Sequence, residues 1–186
     1  MTKNITLAIS GSISAYKAAD LTSQLTKLGY SVTVLMTKAA QDFITPLTLQ
    51  VLSKNDVHVD LMREDDVSKV NHIDLAKNTD LFIVAPASAN TIAHLSYGLA
   101  DNIITGVALA LPTSIPKFFA SAMNTKMYEN PITQENIKRL KSFGYQEIEP
   151  KSSLLACGDF GKGALADTST IIDKITAVFN EQNIFS

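Results

Sequence analysis

The chain has 186 residues, a formal charge of −2, 46% hydrophobic residues and a single cysteine. The length fits one domain at roughly 150 residues per domain, and a near-neutral charge without a basic stripe argues against a nucleic-acid partner. One cysteine excludes an intramolecular disulfide and points to a reducing cytoplasm; three scattered histidines make no zinc-spaced motif, and no apolar run nears the roughly 18 residues that cross a bilayer.

Met1-Thr2-Lys3-Asn4 leads straight into an apolar run over 5–9, which reads as a first strand and not as a secretory leader. Ala18, Leu21, Leu25 and Leu28 recur at helical spacing, with Gly29 as the stop. Residues 32–36 read as strand two and 37–43 as a short helix. Thr45-Pro46 opens another helix, Thr as cap and Pro in the first turn. A short strand over 57–59 precedes a helix over 68–78 that carries His72. Residues 81–85 form the most apolar strand, followed by helices over 90–97 and 102–111, a strand over 116–121 and a helix over 133–143 ended by Gly144. A last strand is expected over 146–148 and a closing helix over 168–179. Strands and helices alternate, which predicts a doubly wound, mostly parallel sheet in three α/β/α layers, flavodoxin-like or Rossmann-like. Residues 1–186 then form a single domain. The long connection over 150–167, with Gly158, Gly161, Gly163 and Cys157, reads as a lid loop.

Ligands of such sheets sit beyond the carboxyl ends of the strands. Ser88, Ala89, Asn90 and Thr91 follow the strand over 81–85 and concentrate hydroxyl and amide groups there. Gly11, Ser12 and Ser14 follow strand one at the start of a helix, where backbone amides favour phosphate. Each cluster reads equally as a helix cap or a tight turn. The turn is neither G-x-G-x-x-G nor a P-loop. Strand two ends in Met36-Thr37-Lys38, without the acid that would hold a ribose, so NAD is disfavoured. A mononucleotide phosphate held by Ser12, Ser14, Thr37 and the cluster over 88–91 is the better match, with FMN the commonest such cofactor in flavodoxin-like sheets. Ala122 and Asn124 lie beyond the strand over 116–121, where the Asn124 amide either donates to a carboxylate or stabilises a turn. His72 reads as a histidine on an amphipathic helix, and His58 and His94 as structural. Cys157, flanked by glycine, is poorly placed for a core and suits a proton donor carried over a bound substrate.

In this order and register, Gly11-Ser12-Ile13-Ser14-Ala15, His72-Ile73-Asp74-Leu75-Ala76, the segment 86–91, Ala100-Asp101-Asn102, the segment 122–128 and Ala156-Cys157-Gly158 resemble the homo-oligomeric flavin-containing cysteine decarboxylases nearly end to end. The resemblance is strongest to the branch that serves coenzyme A synthesis. It implies FMN contacts at Ser12, Thr37, Ser88, Asn90 and Thr91, with Ala122 near the flavin. It implies an active-site histidine at His72, a carboxylate-holding amide at Asn124 beside Met127 in the substrate site, and a proton-donating cysteine at Cys157. Tyr128 stands where relatives often carry Trp and is expected to keep an aromatic wall.

The implied reaction is decarboxylation of 4'-phospho-N-pantothenoylcysteine to 4'-phosphopantetheine. The cysteine thiol carbon is oxidised to a thioaldehyde with FMN as oxidant, CO2 leaves, and the enethiol is reduced with a proton from Cys157. Alternatives of the same fold are a peptidyl-cysteine decarboxylase, a flavin prenyltransferase and a flavin-binding phosphatase inhibitor. The last often carries an acidic tail, which residues 181–186 lack. Lys17, Lys38 and Lys126 are unranked candidates for the substrate phosphate. The resemblance implies a homotrimer or a dodecamer of trimers with FMN at subunit contacts. It also implies a separate phosphopantothenate–cysteine ligase, since the chain stops at Ser186 without a ligase domain. The segment 102–111, apolar nearly all round, suits burial between subunits or within one.

Overall fold

Strand residues alternate between two cores, and that alternation organises the fold. In β1 (Asn4–Ile9), Ile5, Leu7 and Ile9 face one core and Ala8 the other. In β4 (Leu81–Ala87), Leu81, Ile83 and Ala85 face the first core, and Phe82, Val84 and Ala87 the second. A strand apolar on both faces must be covered by helices on both sides. The first core is closed by α1 (Lys17–Lys27) and α8 (Thr168–Ile184), the second by α4 (Ala89–Tyr97), α5 (Ile103–Ala110) and α7 (Pro131–Ser142). The computed structural model describes residues 2–61, 71–156, 158 and 160–184.

The sheet also contains β2 (Ser31–Met36), β3 (Val57–His58), β5 (Lys117–Ser121) and β6 (Tyr145–Ile148). Its order is β3-β2-β1-β4-β5-β6, and every pairing is parallel. This is the Rossmann order; without the two-residue β3, the remaining five strands follow the flavodoxin order. The expected doubly wound α/β class is therefore the observed one. The chain leaves β1 toward β2 on one side and later returns to β4 on the other, so a crevice opens beyond the ends of β1 and β4.

Several elements differ from expectation. The segment 37–43 is a 3-10 turn over Lys38–Asp42. α2 (Pro46–Ser53) starts at the expected Pro, with Thr45 as its cap. α3 is described over Asn71–Lys77, and residues 68–70 of the expected helix lie outside the described residues. α6 (Thr125–Glu129) was not anticipated, and α7 starts two residues early because Asn130 caps it and Pro131 fills its first turn. Leu28, expected on the buried face of the first helix, is its C-cap and is exposed. α5 packs on α3 and α4, which buries Ile103 through Ala108 within one subunit. Among the described residues no helix is long and apolar enough to cross a membrane.

The segment expected as a lid loop holds an antiparallel hairpin, β7 (Lys151–Leu154) with β8 (Phe160–Ala164). Its glycines answer to close approach. A Cβ on Gly163 would lie 2.3 Å from the Met123 carbonyl oxygen, and one on Gly161 2.6 Å from Thr125 Oγ1. The ribbon thus lies flat on the start of α6 because these two residues carry no side chain. Gly163→Ala is expected to cost about 1–3 kcal/mol, since the obstacle is backbone that has no rotamer to give. At roughly 2–4 °C per kcal/mol for a chain of this size, a thermal melt reads it; an unchanged midpoint would refute the account.

Candidate active site

Ser10, the residue after β1, is fully buried and ties the crevice together. Its hydroxyl donates to the Pro86 carbonyl at 2.7 Å and accepts from the Ser88 N–H at 2.8 Å, while its own N–H donates to Pro86 O at 3.2 Å. Pro86 has no N–H for the ladder, and the register between β4 and β5 shifts between Val84 and Ala87. The Ser10 hydroxyl supplies cross-strand bonds at this irregular end. The row continues: Ala122 N–H donates to Ala87 O at 3.0 Å, and Met123 N–H to Gly163 O at 2.9 Å. The tips of β1, β4, β5 and β8 are thereby joined side by side.

Above this row lies a cleft of ≈ 580 Å³. Gly11, Ser12, Ser14, Ser88, Ala89, Asn90, Ala122, Asn124 and Met127 all line it, so most of the candidate positions converge. Ile13, Tyr16, Met123, Leu154 and Leu155 add apolar wall, and Lys17 adds a cation. Local capping sets the hydroxyls. Ser12 Oγ accepts from Ser14 N–H at 3.3 Å, and Ser88 Oγ accepts from Thr91 N–H at 3.2 Å. Asn124 Oδ1 accepts from Lys126 N–H at 2.9 Å. The cap reading and the ligand reading thus hold at the same residues: capping fixes the rotamer that points the group to the cleft rim. Gly11 has a packing duty as well, because a Cβ there would come within 2.7 Å of the Ala39 Cβ.

Three candidates do not line the cleft. Thr37 caps the 3-10 turn after β2, accepting from Ala40 N–H at 3.2 Å. Thr91 is buried beneath Ser88, which donates to its Oγ1 at 3.2 Å. His72 sits on α3, which packs on α5, and its Nδ1 is buried without a hydrogen-bond partner among the described residues. Cys157 lies outside the described residues, although its neighbour Ala156 lines the cleft. Tyr128 also departs from expectation. It forms no wall of the cleft but is buried in the core, where its hydroxyl donates to Glu147 Oε1 at 3.0 Å.

Glu147 is the second residue that sequence alone did not single out. Its side chain is 2% exposed, accepts from Ser121 Oγ and Tyr128 OH at 3.0 Å each, and pairs with Lys141 Nζ at 2.6 Å. It ties the end of β5 to α6, the helix that presents Asn124 and Met127. Burial, and then the Glu147 charge, push the Tyr128 hydroxyl far above the usual phenol range, so it stays a donor. An acid between Gln146 and Ile148 in a short strand carries no signal of this in sequence. Ser10 does carry one: a hydroxyl at the end of a mostly apolar strand, directly before a glycine.

Of the three candidate lysines for the substrate phosphate, Lys126 and Lys38 are absent from the cleft lining. Lys17 lines the cleft, whereas Lys38 pairs with Asp60 at 3.6 Å. Lys151 pairs with Asp167 and holds that carboxyl below the usual range, with Lys17 contributing from farther off. Among the described residues no group of His, Cys, Asp and Glu side chains comes together as a metal site. The cleft's volume, its apolar walls, the hydroxyls at the start of the 3-10 turn Ile13–Tyr16 and the adjacent Lys17 fit a phosphorylated, flat, mostly apolar ring system such as a flavin mononucleotide.

Known proteins resemble this chain in sequence and fold. The profile of the Flavoprotein family matches residues 1–180. A protein of Streptococcus mutans named probable phosphopantothenoylcysteine decarboxylase is 72% identical over 175 residues, covering 94% of this chain and 98% of that protein. The coenzyme A biosynthesis bifunctional protein CoaBC of Bacillus subtilis is 43% identical over 180 residues; the match covers 97% of this chain but 44% of that longer protein. Among solved structures, a Cys-to-Ser mutant of a PPC decarboxylase complexed with pantothenoylaminoethenethiol superposes with a TM-score of 0.87 at 31% identity, over 97% of this chain and all of that one. The FMN-binding protein AtHal3 superposes with a TM-score of 0.84, also at 31% identity, over 97% of this chain and 98% of that one.

Ser10→Ala removes the hydroxyl of the latch with little change in packing. The loss strands the Ser88 N–H and is expected to cost about 1–3 kcal/mol. The urea midpoint should fall with the slope unchanged; an unchanged midpoint would show that the latch contributes nothing.

Proposed function

The chain belongs to the Flavoprotein family, and we propose that it removes CO2 from the cysteine carboxyl of 4'-phospho-N-pantothenoylcysteine to give 4'-phosphopantetheine, with FMN as cofactor. The observation that carries this reading is the convergence of Ser12, Ser14, Ser88, Asn90, Ala122, Asn124 and Met127 on one cleft over the strand tips. The 72% identity to a protein named for the same activity, across nearly the whole of both chains, supports the choice of substrate. The single cysteine suits a reducing cytoplasm as the compartment.

Ser12, Ser14 and the amides of the 3-10 turn would hold the cofactor phosphate, and Lys17 would offset its charge. Ser88, Ala89, Asn90 and Ala122 would line the ring, with Thr91 and Thr37 shaping the backbone around it. Bound FMN supplies the two-electron oxidation and re-reduction of the substrate's thiol carbon, chemistry that no side chain here offers. Asn124 holds the departing carboxylate through its amide, and Met127 and Ile13 pack on the pantothenoyl chain. The β7–β8 hairpin, through Leu154 and Leu155, excludes water from that side. Cys157 Sγ delivers the final proton to carbon, and His72 orients the thiol.

His72 does not line the cleft of its own subunit, and its Nδ1 lacks a partner among the described residues. Both facts support a site completed by a second copy, with His72 reaching the neighbour's cleft, as a trimer with shared sites or a dodecamer of such trimers would allow. A separate ligase would supply the substrate.

Purified protein is expected to show a flavin spectrum, to release FMN on denaturation and to form CO2 from this substrate but not from a peptide ending in Cys. A colourless protein that takes up no FMN would end the reading. Asn124→Ala should lower kcat/KM by roughly tenfold to hundredfold, the worth of a hydrogen bond to a charged group. Cys157→Ser should still release CO2 and accumulate the unreduced enethiol; normal product would remove Cys157 from the mechanism. For the shared site, His72→Asn and Asn124→Ala variants are co-refolded. Regained activity in the mixture is expected, and none would place His72 in its own subunit's site.

A further inference from the structure

At the other end of the sheet, a cavity of ≈ 330 Å³ opens among the last turns of α4, α5 and α7 and the first residues of β5 and β6. Lys117 begins β5, whereas Ala122 follows its far end at the cleft, so the two sites lie about 16 Å apart along the strand. Leu95, Leu109 and the rings of Tyr97, Phe143 and Tyr145 wall the cavity, together with Lys117 and Arg139. Among the described residues no aspartate or glutamate lines it. Asp101 stands next to its rim, paired with His94 at 3.0 Å.

Both cations are set without a counter-charge. Lys117 is 8% exposed; its Nζ donates to Thr113 O at 3.3 Å and lies 5.8 Å from the Tyr145 ring centre. Burial holds its ammonium below the usual lysine range. Arg139 Nε donates to Ser96 O at 2.8 Å, and its guanidinium lies 4.7 Å from the Tyr97 ring centre and 5.6 Å from that of Phe143. Neither makes an ion pair among the described residues. The negative ends of α4, α5 and α7 account for the sign of these charges. They do not account for enclosing an ammonium in a ring-walled concavity, since an exposed lysine would serve a helix terminus as well, without the cost of desolvation.

We propose that this cavity is a second ligand site, for a small organic carboxylate bearing one hydrophobic ring. The carboxylate meets Lys117 and Arg139, restoring the solvation that the buried Lys117 ammonium has lost, and the geometry of the exposed Arg139 guanidinium suits a planar two-oxygen partner. The ring enters between Leu95, Leu109 and Phe143. The volume lies at the small end of ligand pockets, which limits the occupant to one ring with a short tail.

Phenylacetate is the probe, with phenylacetamide as its uncharged counterpart, titrated into the full flavin-loaded protein and followed by amide chemical shifts. Phenylacetate is expected to saturate with Kd about 1 mM or tighter, shifting residues around Lys117, Arg139 and Tyr145. Phenylacetamide should bind at least about tenfold weaker. Lys117→Met and Arg139→Gln should each weaken phenylacetate by about tenfold and leave phenylacetamide unchanged, while Lys117→Arg retains binding. Asn124→Ala should leave phenylacetate binding intact, whatever it does to decarboxylation. No saturation by about 10 mM, equal binding of the amide, or loss of binding in Asn124→Ala would overturn the proposal.

Discussion

The site depends on a row of short hydrogen bonds across the carboxyl ends of the strands. A parallel sheet has regular ladders along its strands, but its tips are free to splay. Here the Ser10 hydroxyl binds the Pro86 carbonyl and the Ser88 amide at once, and Ala122 and Met123 carry the row on to β5 and the hairpin. Each neutral bond contributes about 1 kcal/mol net, yet each is expensive to leave unmade once its partners are buried. The row therefore acts more on position than on stability. It holds the loop carrying Ser12, the helix start carrying Ser88 and Asn90, and the turn carrying Asn124 at one fixed spacing.

The hairpin is seated by the same logic with a different instrument. Main chain can lie on main chain only where side chains are absent, and Gly161 and Gly163 clear that space over Met123 and Thr125. Leu154, Leu155 and Ala156 are thereby carried to the cleft wall. Glu147 reinforces the floor. Its buried carboxylate is tolerated because Ser121, Tyr128 and Lys141 all meet it, which joins the end of β5 to α6.

The two ends of the sheet have opposite electrostatic characters. At the carboxyl ends, hydroxyls and turn-start amides lie beside the cation Lys17, as suits a bound phosphate. At the amino ends of β5 and β6, helix C-termini gather Lys117 and Arg139 beside aromatic rings. That polarity follows from parallel topology. When every strand runs one way, helix N-termini collect at one end of the sheet and C-termini at the other.

The six strands of the parallel sheet, the alternation of strand and helix and the polar clusters at strand ends were legible from residue order alone, because apolar period and cap chemistry are local properties, whereas the β7–β8 hairpin reads there as a loop. Gly11, Ser12, Ser14, Thr37, Ser88, Asn90, Thr91 and Asn124 were readable for the same reason, since capping residues and turn residues announce themselves by type, whereas Ala122 and Met127 entered only through resemblance to the flavin-containing cysteine decarboxylases. Other features arise between segments far apart in the chain. Gly163 looks like a flexible loop residue until the Met123 carbonyl is placed against it. Glu147 looks like a solvent-facing strand residue until Tyr128 and Ser121 close over it. Tyr128 leaves the cleft for the core because that carboxylate receives its hydroxyl, and His72 falls outside its own cleft because α3, which carries it, packs on α5. Local pattern thus decided which residues could bind a ligand. Folding decided which of them meet, since distances between strand tips depend on sheet order and no stretch of neighbouring residues encodes them.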